Sequence, residues 1–206
     1  RVRPTIDAFR RVVTCRRTVL YASALLFADG AFLIFLGSTQ QVFDIIYGRA
    51  DQFAVLFAAS AAVMALGFIG VNPAIGRWGA DRVGVFVLTT AMVLATTLLT
   101  LTLAAGGTPG FWTWFSLVVV SNTFLALVTP VAMSRALEPL GDVAGTAAGV
   151  LGLMTLTGAS LLAAFVGMRI GTSTTPWAVG YLFYGAIALG LLIAAGRTPE
   201  PLPDTT

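Results

Sequence analysis

Six apolar stretches, together carrying a single charge-capable side chain, dictate what this chain can fold into. A membrane-spanning helix needs about 20 mainly apolar residues. Reading between charges places such segments at Thr18–Gln41, Phe53–Ile75, Val83–Ala105, Phe111–Met133, Val143–Met168 and Trp177–Gly196. The runs are too long for membrane strands and do not alternate at period two, so the fold class is all-α. Composition agrees. Of 206 residues 57% are hydrophobic and 10% charged, where a soluble domain carries about 25% charged residues. The surface of such a chain must face lipid.

Arginine placement orients the six spans. All 12 basic residues are Arg. Arg1, Arg3, Arg10, Arg11, Arg16, Arg17, Arg77, Arg82, Arg135 and Arg197 fall on one side, Arg49 and Arg169 on the other. The positive-inside rule assigns the larger set and both termini to the cytoplasm, in a multi-pass protein of the cell (inner) membrane. Trp112, Trp114 and Trp177 then fall at the outer interface, where aromatic anchors are expected.

The connections are too short to hold a soluble catalytic domain. Residues 1–17 read as a basic cytoplasmic helix lying in the membrane interface, with Ile6, Phe9 and Val13 on one face. Residues 18–196 form the six-helix transmembrane bundle, and residues 197–206, RTPEPLPDTT, read as a disordered cytoplasmic tail. A cleavable signal peptide does not fit, because a full span follows the Arg-rich start without a small-residue cleavage site. The first residue is Arg1 rather than Met, which reads as a processed chain or a piece of a longer one.

The chain has no His and one cysteine, Cys15. Haem ligation by His, His-type metal sites and Ser-His or Cys-His catalysis are excluded within these residues. No metal, cofactor, enzymatic activity or nucleic-acid partner is expected.

Asp29 is the one acid within a span. It lies eleven residues past Thr18, about 16 Å into the helix and near the bilayer centre. An ionised carboxylate there costs about 2.5–3.5 kcal/mol on insertion scales. Either it bonds to a neighbouring helix or to an Arg outside this chain, or it loads and releases a proton or neutralises a cationic substrate. Gln40 and Gln41, with Ser121 and Asn122, are further polar groups at membrane depth. They are candidates for the substrate cavity, with interhelical bonding as the alternative.

Small residues mark where membrane helices touch. The fifth span, GTAAGVLGLMTLTGAS, offers Gly145, Gly149, Gly152 and then Gly158 as packing positions, and Gly180, Gly185 and Gly190 in span six repeat the theme. Pro130 and Pro73 each remove one helical hydrogen bond. The threonines of span three, Thr89, Thr90, Thr96, Thr97, Thr100 and Thr102, are expected to bond back to their own helix. In the ALEPLGDVAGT turn, Pro139 stops the helix, Gly141 permits the turn, Asp142 caps span five, and Arg135 pairs with Glu138 three residues on.

The stretch VTPVAMSRALEPLGDVAGTAAGVLG, from Val128 to Gly152, resembles the fourth-to-fifth helix junction in the C-terminal half of Bcr/CflA-type drug transporters. These are the bicyclomycin/chloramphenicol-resistance transporters of the major facilitator superfamily. Pro130, Ala132, Ala136, Leu137, Glu138, Pro139, Gly141, Ala144, Gly145, Thr146, Ala147 and Gly152 match, whereas Val131 stands for the pattern's Asn and Ala148 for its Ser. Tyr47-Gly48, Phe53 and Phe57 resemble the outer end of that family's seventh helix and the start of its eighth. GRWGADRVG, from Gly76 to Gly84, resembles the superfamily's short charged cytoplasmic loop, with Asp81 and Arg82 kept.

The resemblance implies one six-helix half of a major-facilitator fold, built as two inverted three-helix sets and lacking an N-terminal half. Spans one, two, four and five would border the cleft, with three and six at the periphery. It implies proton-coupled antiport of drugs or small metabolites by alternating access, hence multidrug efflux and antibiotic resistance, with a small-molecule substrate and a proton as partners. Asp81, Arg82, Arg135, Glu138 and Asp142 are loop and gating candidates on the cytoplasmic side, with a well-built cytoplasmic hairpin as the favoured reading of that turn. Metabolite uptake, or a six-helix membrane scaffold without transport, are the rival readings.

Overall fold

The computed structural model describes residues 3–198, and side chains from Phe9 onward other than that of Asp142. The proposed tail beyond Thr198 and the cap by the Asp142 side chain lie outside the described residues. Helix α1 runs Arg3–Thr14 and α2 runs Arg16–Gln41, continued by a π-helical turn Val42–Ile46. Then come α3 (Phe53–Trp78), α4 (Ala80–Ala104), α5 (Phe111–Leu137), α6 (Ala144–Gly167) and α7 (Thr175–Gly196). Short 3-10 segments, Ala50–Gln52 and Glu138–Val143, lead into α3 and α6. Six helices are long and apolar enough to cross a membrane, and no strand occurs among the described residues.

The elements end where local chemistry requires. Gly79 has φ +81° and separates α3 from α4, a conformation with little penalty only for glycine. Pro73 and Pro130 lie inside continuous helices α3 and α5. Gly141 keeps an ordinary negative φ. The bend before α6 falls instead on Leu140, at φ −115° and ψ 25° within the 3-10 segment. Four of the six threonines of α4 bond back to their own helix as expected, whereas the buried Thr102 hydroxyl finds no partner among the described residues. Thr90, Thr96, Thr97 and Thr100 each donate to the carbonyl four residues back, at 2.8–2.9 Å.

Helices α2 and α5 lie side by side at the centre. Helix α2 also packs on α6 and α7, α5 packs on α3 and α4, and α4 packs on α7. This pattern is unchanged when α2, α3 and α4 are exchanged for α5, α6 and α7. Because α5 is the third span after α2, the two sets run in opposite directions. One layer thus reads α6–α2–α5–α3, and α4 and α7 back it. Helix α3 is the least buried and α6 the next.

The core at the end opposite the Arg-rich one is aromatic. Trp114 meets Trp177 edge-on at 5.3 Å between ring centroids, and Phe43 is ringed by Phe53, Phe111, Trp114 and Phe115. Trp114 and Trp177 are fully buried, whereas Trp112 is 57% exposed. Of the three expected anchors, only Trp112 is placed to meet an interface. The other two face inward because α5 and α7 turn those sides to α2.

Some packing glycines also differ from expectation. A Cβ added at Gly145, Gly149 or Gly152 would meet nothing within 4 Å. Ala147, Leu151, Thr155 and Ala159 form the buried stripe of α6, and these glycines lie off it. Close approach occurs at two others of the expected glycines, Gly158, where a Cβ would sit 2.6 Å from Leu26, and Gly180, 2.9 Å from both Ile34 and Val166.

Candidate functional site on the open face of the bundle

Helix α2 presents Asp29, Leu33, Leu36 and Gly37 toward the layer it shares with α6, α5 and α3. These positions follow the three- and four-residue spacing of one helical face. A pocket of about 360 Å³ opens there between all four helices, lined by Asp29, Phe32 and Leu33 of α2, Met64 and Phe68 of α3, Ala126 and Thr129 of α5, and Leu156 of α6. None of its residues comes from α4 or α7. It meets a second pocket of about 520 Å³ at Leu33 and Leu36, which continues between α2 and α6 to Ser38, Gln41 and Gly167. From Asp29 to Gln41 is twelve residues, about 18 Å of groove along α2.

Asp29 is 8% exposed and accepts a hydrogen bond from the Thr129 hydroxyl at 3.0 Å. Its bond is thus to a neighbouring helix, and it still reaches the pocket. The next residue, Pro130, has no N–H to offer the Ala126 carbonyl four positions back. Ala126 lines the same pocket. The Asp29 carboxylate thus sits beside the Thr129 hydroxyl in an otherwise apolar hollow. An ionised carboxylate is an acceptor only, so a proton or a cationic group is the chemistry it could hold there.

The polar residues at membrane depth divide. Gln40 is exposed near the end of the groove away from the Arg-rich side, and Gln41 lines it while its Nε2 donates to the Ile170 carbonyl at 2.8 Å. Ser121 and Asn122 are fully buried and line neither pocket. Asn122 accepts from the Tyr181 hydroxyl at 2.7 Å, and Ser121 donates to the Ala91 carbonyl at 3.4 Å. They join α5 to α7 and α4. A buried amide must find partners, and the back layer supplies them.

At the Arg-rich end, α4 and α5 are pinned by one charged cluster. Arg135 at the end of α5 grips Asp81 at the start of α4 through Nε at 2.9 Å and through Nη2. It also reaches Glu138 at 2.8 Å, the expected i,i+3 pair. Arg17 of α2 meets Glu138 at 3.1 Å, and the Tyr21 hydroxyl donates to Asp81 at 2.6 Å. Thr18 adds a bond to the Ala136 carbonyl at 3.0 Å. Arg17, Thr18 and Tyr21 were not singled out in the sequence. Their only signal was position, one turn inside a span that begins on the Arg-rich side. Arg82 stands outside this cluster, exposed.

Over 188 residues, 87% of this chain, the sequence is 29% identical to an uncharacterized MFS-type transporter of Bacillus subtilis (strain 168). The match takes in 44% of that relative, so the chain spans less than half of its length. No protein-family profile matches the chain. No solved structure matches it significantly.

Proposed function

We propose that this chain is a six-helix half of a major-facilitator secondary transporter. Substrate passes along the α2–α3–α5–α6 face as this half rocks against a second six-helix unit. The observation that carries the reading is the Asp29 pocket. An intramembrane carboxylate is expensive and is retained on ion or substrate pathways. Here it borders a hollow that all four helices of the open layer share. The exchange pattern of the helices and the named relative support the same reading.

In this account Asp29 takes up and releases the coupling proton, and Thr129 orients its carboxylate. The groove toward Gln40 and Gln41 leads substrate outward. The Arg135–Asp81–Glu138 cluster, with Arg17 and Tyr21, holds the cytoplasmic ends of α2, α4 and α5 together when the inner side is closed. Gly145, Gly149 and Gly152 lie open for close approach by the second unit. The Bcr/CflA-type resemblance makes export of drugs or small metabolites the direction proposed, across the inner membrane with the Arg-rich ends in the cytoplasm.

The test is reconstitution of the full-length transporter in vesicles with a pH-sensitive dye inside. Addition of chloramphenicol, a sulfonamide or a cationic dye is expected to move protons opposite to substrate. Absence of substrate-linked proton movement for every compound, with the protein folded and inserted, would overturn the coupled-export reading.

A further inference from the structure

A third hollow lies away from the open face, and neither substrate nor second unit is needed to account for it. It has a volume of about 580 Å³ and opens between α3 and α4, with α5 as its floor. Leu66, Gly70, Val71, Phe86 and Phe124 line it, and Trp78 and Arg82 stand at its Arg-rich end. Its one hydroxyl, Thr123, is already committed to the Val119 carbonyl at 2.9 Å. The crevice is therefore apolar along its length and basic at one end.

Its dimensions match one leaflet. Leu66 and Trp78 are twelve residues apart on α3, about 18 Å, against about 15 Å for half of the hydrocarbon core. Trp78 is 62% exposed, as an interfacial aromatic is. Arg77 and Arg82 are exposed beside it, and neither makes an ion pair among the described residues. The nearby acid, Asp81, is occupied by Arg135 and Tyr21. A Cβ added at Gly70 would meet nothing within 4 Å, so the missing side chain widens the crevice.

We propose that this α3–α4–α5 crevice is a binding site for an anionic phospholipid of the leaflet facing the Arg-rich side. One acyl chain lies between α3 and α4 over Gly70, and the phosphate-bearing headgroup meets Arg82. Basic pockets between membrane helices hold anionic headgroups in this way. The site is independent of the transport reading.

The experiment places the purified protein in phosphatidylcholine vesicles containing a minor share of brominated phosphatidylglycerol or brominated phosphatidylcholine. Quenching of Trp78 is taken as the difference between the parent and Trp78→Phe. A preference of about fivefold for the anionic lipid is expected, the contribution of one arginine near the surface. Arg82→Gln brings the preference toward parity, and Gly70→Leu fills the crevice and abolishes it. Arg197→Gln leaves it unchanged. Equal quenching by the two lipids in the parent, or a preference that survives Arg82→Gln or Gly70→Leu, overturns the proposal. Shielding of Trp78 from both lipids does so too, because a protein element would then fill the crevice.

Discussion

Arg135 and Asp81, 54 residues apart in sequence, form a two-pronged ion pair that joins the end of α5 to the start of α4. The two side chains are 25% and 36% exposed, so water screens the pair in part. Arg135→Gln is expected to destabilise the protein by about 1–2 kcal/mol, between the values for exposed and buried pairs. Thermal unfolding in detergent reads this as a lowered Tm. The charge swap Asp81→Arg with Arg135→Asp should recover part of the loss, whereas Arg82→Gln should leave Tm unchanged.

The aromatic end of the bundle gives a sharper contrast. Trp177→Ala is expected to cost about 3–5 kcal/mol, the usual range for truncating a buried large aromatic. Trp112→Ala, at a 57% exposed ring, should cost much less. Aqueous acrylamide should quench Trp112 and Trp78 and leave Trp114 and Trp177 nearly untouched. Ready quenching of Trp114 would contradict the packing described.

Accessibility separates the polar residues of α2 from those of α5. In a Cys15→Ser background, Gln40→Cys should react with a membrane-impermeant thiol reagent, because Gln40 is exposed at the end of the groove away from the Arg-rich side. Ser121→Cys and Asn122→Cys should not react, because both positions are fully buried. Equal labelling at all three sites would refute this placement.

Glycine substitutions distinguish packing within the bundle from packing against a second unit. Gly180→Leu must displace Ile34 and Val166, 2.9 Å from its added Cβ. It is expected to cost about 1–3 kcal/mol by overpacking. Gly149→Leu, with nothing within 4 Å, should leave the bundle's Tm unchanged. If α6 meets a second six-helix unit through that face, the same substitution lowers transport by the full-length protein.

The spans were legible because length and absence of charge are one-dimensional signals, and a bilayer imposes both. Arg135 and Glu138 were legible as a pair because they share a helical turn. The inward faces were not. Lipid and protein core are both apolar, so a membrane helix carries little of the periodicity that marks a buried face in water. Trp112 and Trp114 therefore read alike, although one is exposed and the other fully buried. Gly149 and Gly180 likewise read alike, although only Gly180 is closely packed. Asp29 was found by its charge alone. Its partner Thr129 was hidden among other hydroxyls 100 residues away.

The central claim, that Asp29 couples proton movement to transport, is tested most directly by Asp29→Asn in the full-length transporter. Asparagine keeps the shape and the acceptor for Thr129 but cannot ionise. Two assays are run on the same reconstituted vesicles: substrate transport driven by an imposed pH gradient, and substrate exchange down its own gradient without one. The account predicts that the variant loses gradient-driven transport and keeps exchange. Gradient-driven transport at the parent's rate in Asp29→Asn would contradict it.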